Sequence, residues 1–193
     1  MKKHLAAFAV LAITLLSKST YAGVLIEPFL GYNVGTLETK DTSDKTVSNV
    51  MSAPTYGLRL GYKVLLFWLA ADYVASNGNA TPDDSSAKYD YSASTIGATV
   101  GVDLILGLRF YAGYGADTTL TQKKTTRDIV FKGTSTKGGI GFSPIPLLSL
   151  NLEYSINKFN RVDKVADAGF KDIDTYYKSV DNSMLMASVS IPL

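Results

Sequence analysis

The chain has 193 residues, 46% of them hydrophobic and 19% charged, with no cysteine and one histidine. That length suits one domain or at most two, and a formal charge of +2 gives no basic face of the kind nucleic acid demands. The only histidine, His4, lies in a segment expected to be removed, so the mature chain has no means to build an ordinary zinc site, a Cys nucleophile or a His general base. No catalytic residue, metal site or cofactor is therefore expected.

Residues 1–22 read MKKHLAAFAVLAITLLSKSTYA. Lys2 and Lys3 give a positive start, Leu5 to Leu16 form a 12-residue apolar stretch, and Thr20 and Ala22 fit a leader-peptidase cut after Ala22. A spanning helix needs about 20 apolar residues, so this run is too short for an anchor. Cleavage removes Lys2, Lys3 and Lys18 and leaves 16 basic against 17 acidic residues, a net of −1. The expected organisation is a signal peptide over 1–22 and one domain over 23–193.

From there the pattern alternates with period two, the mark of strands with one apolar face. Val24, Ile26, Pro28, Leu30, Tyr32 and Val34 oppose Glu27, Gly31, Asn33 and Gly35. Pro54, Tyr56, Leu58, Leu60 and Tyr62 oppose Thr55, Gly57, Arg59, Gly61 and Lys63. Phe67, Leu69, Ala71 and Tyr73 oppose Trp68, Ala70 and Asp72; Ile96, Ala98, Val100 and Val102 oppose Thr95, Gly97, Thr99 and Gly101. Leu108, Phe110, Ala112 and Tyr114 oppose Arg109, Tyr111, Gly113 and Gly115, and a weaker segment sets Ile140 and Phe142 against Lys137, Gly139 and Gly141. Leu148, Leu150, Leu152, Tyr154 and Ile156 oppose Ser149, Asn151, Glu153, Ser155 and Asn157, the cleanest case of all. Leu185, Ala187, Val189, Ile191 and Leu193 oppose Met184, Met186, Ser188 and Ser190.

These are eight segments of about the ten residues that a tilted strand needs to cross a bilayer. Short connections fall near Val64-Leu65, Leu104–Leu106 and Ser143–Pro146, and long polar ones over Glu38–Met51, Asn77–Asp90, Thr118–Phe131 and Phe159–Val180. The predicted fold is all-β: an eight-stranded antiparallel up-and-down transmembrane β-barrel, preceded by a cleaved signal peptide. The face opposite the apolar one, rich in Gly and charge, would fill a soluble core poorly. Lipid outside and polar side chains inside remove that difficulty, and closure removes open edges. Tyr32, Tyr56, Tyr73, Tyr114 and Tyr154 fall near the long-loop ends, and Tyr62, Phe67, Phe110 and Phe142 near the short turns, as two interfacial girdles would.

In Glu27-Pro-Phe-Leu-Gly-Tyr32, in Gly57-Leu-Arg-Leu-Gly-Tyr62 and in its repeated Gly-aromatic alternation, the mature chain resembles the small eight-stranded outer-membrane barrels of Gram-negative bacteria, the OmpA transmembrane domain and OmpX group. The resemblance implies export to the outer membrane, insertion by its assembly machinery, contact with lipid and lipopolysaccharide, and a monomer. Such proteins usually end in Phe; this chain ends Ile191-Pro192-Leu193 and keeps the alternation that precedes it.

Eight strands enclose a space just wide enough for side chains to fill. Glu27, Asp72 and Glu153 match Arg59, Arg109 and Lys137 in number. Buried charges need partners, so these six are expected to form an interior ion-pair network that blocks a water path, with Glu27, Arg59 and Asp72 at like heights and Lys137 facing Glu153. The alternative is a constriction in a narrow channel or transporter for ions or small apolar molecules. Lys123, Lys124 and Arg127 make the third loop basic and are candidates to meet lipopolysaccharide phosphates. Function thus stays between a structural or surface-interaction barrel and a small transporter, with an exported soluble, lipocalin-like barrel as a third reading.

Overall fold

The computed structural model describes residues 22–83, 88–123, 128–145, 147–163 and 169–193. The expected leader thus lies outside them, as do Lys124, Arg127 and Pro146. Eight long strands build the molecule: β1 (Gly23–Asp41), β2 (Thr46–Val64), β3 (Phe67–Pro82), β4 (Tyr89–Asp103), β5 (Leu108–Gln122), β6 (Ile129–Ile145), β7 (Leu148–Asp163) and β9 (Tyr177–Ser190). Between the last two, the two-residue β8 (Lys171–Asp172) adds to the edge of β7 at Arg161 and Val162. Every long strand pairs antiparallel with its neighbour in sequence, and β1 closes the ring by pairing with β9 from Phe29↔Ser190 to Asp41↔Tyr177. No long strand is left with a free edge.

The strands hold 14 to 19 residues, well beyond the 9–11 that crossing a bilayer needs. Sequence reading ends them near Glu38, Asn77, Thr118 and Phe159. The structure carries them on to Asp41, Pro82, Gln122 and Asp163, and restarts them at Thr46, Tyr89, Ile129 and Tyr177. The physical reason is an inversion of sidedness along each strand. Near the short turns, even-numbered β1 residues Val24, Ile26, Leu30 and Tyr32 are exposed and apolar. Beyond Val34 the even positions become Thr36, Glu38 and Lys40, while the inward Leu37 is fully buried. On β7 the exposed Leu152, Tyr154 and Ile156 give way to the exposed Lys158, and the inward Phe159 and Val162 are buried. Period two persists, but the apolar face changes from outside to inside. Averaged over both faces, such a stretch reads as polar loop.

Two bulges keep the inward phase where the strands leave the apolar band. An extra residue at Ala116–Asp117 in β5 returns Thr118 and Leu120 to the interior, and one at Asn160 in β7 does the same for Val162. At this long-hairpin end the barrel holds an apolar core of its own. Leu37, Met51, Tyr91, Leu120, Phe131, Phe159 and Val180 pack within it, and the turn Ile173–Thr175 drops Ile173 onto them. Burial pushes the Tyr89 phenol at its margin up to about 12, and Gln122 Nε2 donates to its hydroxyl at 3.4 Å.

Toward the short turns the outer surface is an unbroken apolar belt. It includes Val24, Leu30, Leu60, Leu69, Val100, Phe110, Ile140, Leu150, Leu185 and Val189, all well exposed. Soluble monomers rarely expose contiguous apolar patches above a few hundred Å², and this belt encircles the barrel.

Candidate functional site

Inside the belt, three strands each point an aromatic ring inward opposite a glycine of the next strand: Phe29↔Gly57, Trp68↔Gly101 and Tyr111↔Gly139. A Cβ added at any of these glycines would come within 2.2–2.3 Å of the facing ring. These inward glycines, a poor filling for a soluble core, are therefore the space into which the rings fold. The rings in turn brace two guanidinium groups. Arg59 lies 4.8 Å from the ring centroids of both Phe29 and Tyr111, and Arg109 lies 5.1 Å from that of Trp68.

Around these braces the inward charges form one layer. Arg59, fully buried, donates from Nη1 to Glu27 Oε1 at 3.2 Å and from Nη2 to Glu153 Oε2 at 3.1 Å. Arg109 Nη1 donates to both oxygens of Glu27 at 2.7 and 2.8 Å, and its Nε donates to Asp103 Oδ1 at 2.8 Å. Lys137 pairs with Asp72 and stands 3.5 Å from Glu153, while Thr99 Oγ1 donates to Asp72 at 2.9 Å. Ser190 Oγ donates to Glu27 at 2.6 Å and accepts from Asn151 Nδ2 at 2.9 Å, which ties β9 and β7 to the layer. Lys63 and the Trp68 indole both donate to Asp103.

The structure thus places Glu27, Arg59, Asp72, Arg109, Lys137 and Glu153 in a single interior cluster, with details that differ from the sequence reading. Glu27, Arg59 and Asp72 are direct register partners in succession, yet Arg59 reaches Glu153 rather than bonding Asp72. Lys137 lies opposite Ser155, and Glu153 lies opposite Gly139. Lys137 reaches across the bore to Asp72 and stays 3.5 Å from Glu153 Oε2, the same oxygen that accepts from Arg59. Sequence reasoning missed Asp103 and left Lys63 out of the network. Asp103 continues the inward series Thr95, Gly97, Thr99 and Gly101, but it stands where the strand was taken to end. With both included, four acids face four bases and the layer is neutral. That matters because each buried ion loses several kcal/mol of solvation that only close, multiple partners offset. Among the described residues no three His, Cys, Asp or Glu side chains are grouped to hold a metal ion.

Between the charge layer and the apolar core lies a cavity of about 70 Å³, floored by Lys137 and Glu153 and walled by Thr55, Ser76, Thr118 and Ser135. It has room for a few waters. Of the basic third-loop candidates, Lys123 is exposed, with its amide donating to Asp90 O at 2.8 Å.

No protein-family model matches the chain, and no curated protein matches it in sequence. Solved structures do match it in shape. A crystal structure of Neisserial surface protein A covers 89% of this chain and 98% of its own at 15% identity, with a TM-score of 0.54. Ail, the attachment invasion locus protein of Yersinia pestis, crystallised with the heparin analogue sucrose octasulfate, covers 88% and 99% at 10% identity and a TM-score of 0.57. The outer membrane protein AlkL in DMPC bilayers covers 89% and 90% at 13% identity and 0.56. This chain has the fold of the small outer-membrane β-barrels. In an outer-membrane-type barrel the apolar belt is the lipid-facing surface, and the charge layer lies at the level of the membrane.

Proposed function

We propose that the chain is an integral outer-membrane protein of a Gram-negative bacterium whose interior is closed, and that it acts as a structural or surface-interaction element of the envelope. The observation that carries this reading is the stacking of two seals. A neutral eight-charge layer fills the bore near the short turns, and an apolar core fills it at the long-hairpin end, leaving about 70 Å³ between them. The ring closes within one chain, so the barrel needs no second copy to complete it. No catalytic step is assigned, since the mature chain has neither Cys nor His.

The hairpin tops stand outside the belt, where surface contacts are made. Ail is by name an attachment and invasion protein, which supports a surface role for this fold. Lys123, with Lys132, Lys158 and Arg161 on the outward side of β6 and β7, offers basic groups to lipopolysaccharide phosphates. Insertion by the outer-membrane assembly machinery fits the alternating C-terminal strand. Single-channel recording of the purified protein in planar bilayers tests the closed interior. The expected trace has no stepwise conductance; steady unitary steps would establish the narrow-channel alternative instead.

A further inference from the structure

The short-turn end has the opposite character from the water-facing end of an ordinary barrel. None of residues 64–67, 104–108 or 143–148 is charged. Leu65, Leu66, Leu104, Leu106 and Leu147 are all exposed there, Leu106 to 85%. Two of them also occupy the left-handed backbone region, Leu65 at φ 56° and Leu106 at φ 70°. Gly or Asn reaches that region with less strain, and water favours a polar residue at a turn tip. The three charged residues that flank these turns directly turn inward: Lys63 and Asp103 pair with each other, and Arg109 pairs with Asp103 and Glu27. The three turns themselves thus carry no charged side chain to hold this rim in water.

The turns continue the belt. On β3 the exposed Phe67, Leu69 and Tyr73 follow Leu65 and Leu66, and on β5 the exposed Leu108, Phe110 and Tyr114 follow Leu106, so the apolar outer surface runs from the strands into the turns without a charged side chain between them.

We infer that the three short turns are themselves a lipid-binding surface, seated in the acyl and glycerol region of the inner leaflet rather than standing in periplasmic water. The barrel is then one-sided: its long hairpins rise above the membrane, and its other end stops within it. This rests on the outer-membrane reading above, and the test separates the two. The chain has no cysteine, so single-cysteine variants of the full mature protein can each carry one environment-sensitive fluorophore. Leu65→Cys and Leu106→Cys are compared with Leu69→Cys in the belt and Asp44→Cys in the outer turn, in phosphatidylcholine vesicles with and without brominated acyl chains. All four side chains are exposed, and the only pairs given up are the surface ones of Asp44 with Lys40 and Lys178.

The expected result is roughly two-fold or greater quenching by brominated lipid at Leu65, Leu106 and Leu69, with quenching by aqueous iodide only at Asp44. Iodide quenching at Leu65 and Leu106 with lipid quenching at Leu69 would overturn the seated turns alone. Iodide quenching at Leu69 as well would overturn the membrane reading and this inference with it.

Discussion

Replacing Arg59 with methionine is expected to cost about 3–5 kcal/mol of unfolding free energy, the usual loss when one partner of a buried ion cluster is removed. Arg59 is fully buried, bridges Glu27 and Glu153, and lies between two aromatic rings. Without it Glu27 keeps Arg109, but Glu153 keeps only Lys137 at 3.5 Å, and the neutral layer acquires a net negative charge. Urea titration in vesicles measures the loss. Adding Glu153→Gln should restore a good part of it, since the second change removes the uncompensated charge. A double variant less stable than the sum of the two singles would contradict the paired layer.

The second large effect is expected outside the belt. Phe131 is 1% exposed, and its ring lies tilted with its centroid 5.9 Å from those of both Phe159 and Tyr177. Phe131→Ala should destabilise by about 3–5 kcal/mol through lost burial and the cavity left behind. Its outward neighbour Lys132 has no place in that core, so Lys132→Ala should stay within about 0.5 kcal/mol. Equal, small effects at both positions would mean that the barrel mouth is open to water, and the upper of the two seals would be lost.

How much of this was legible in the sequence depends on where each residue stands along its strand. Between the short turns and the tyrosine girdle, one apolar and one polar face suffice to give eight segments and their connections, as in Leu148 to Asn157. Past the girdle, Leu37, Phe131 and Val180 keep the same period but face inward, while Lys40, Lys132 and Asp181 face outward. Composition there resembles a loop, and only three-dimensional pairing reveals the strand. The inward Leu25 and Phe29 were equally hidden, because alternation assigns a face without saying that the Phe29 ring will lie on Gly57 of the neighbouring strand. Six charges of the interior layer are readable from parity alone. Their partners are not: Lys137 reaches Asp72 across the bore, a contact that follows from closure rather than from adjacency in sequence. Asp103 escaped because it sits at the strand's last position.

The measurement that bears most directly on the apolar-outside, charged-inside barrel is refolding of the urea-unfolded mature chain, in parallel, into phosphatidylcholine vesicles and into buffer free of lipid and detergent. The expected result is a strand-rich, protease-resistant form that floats with the vesicles, and aggregation in the buffer. A folded, monodisperse monomer in the lipid-free buffer would contradict it.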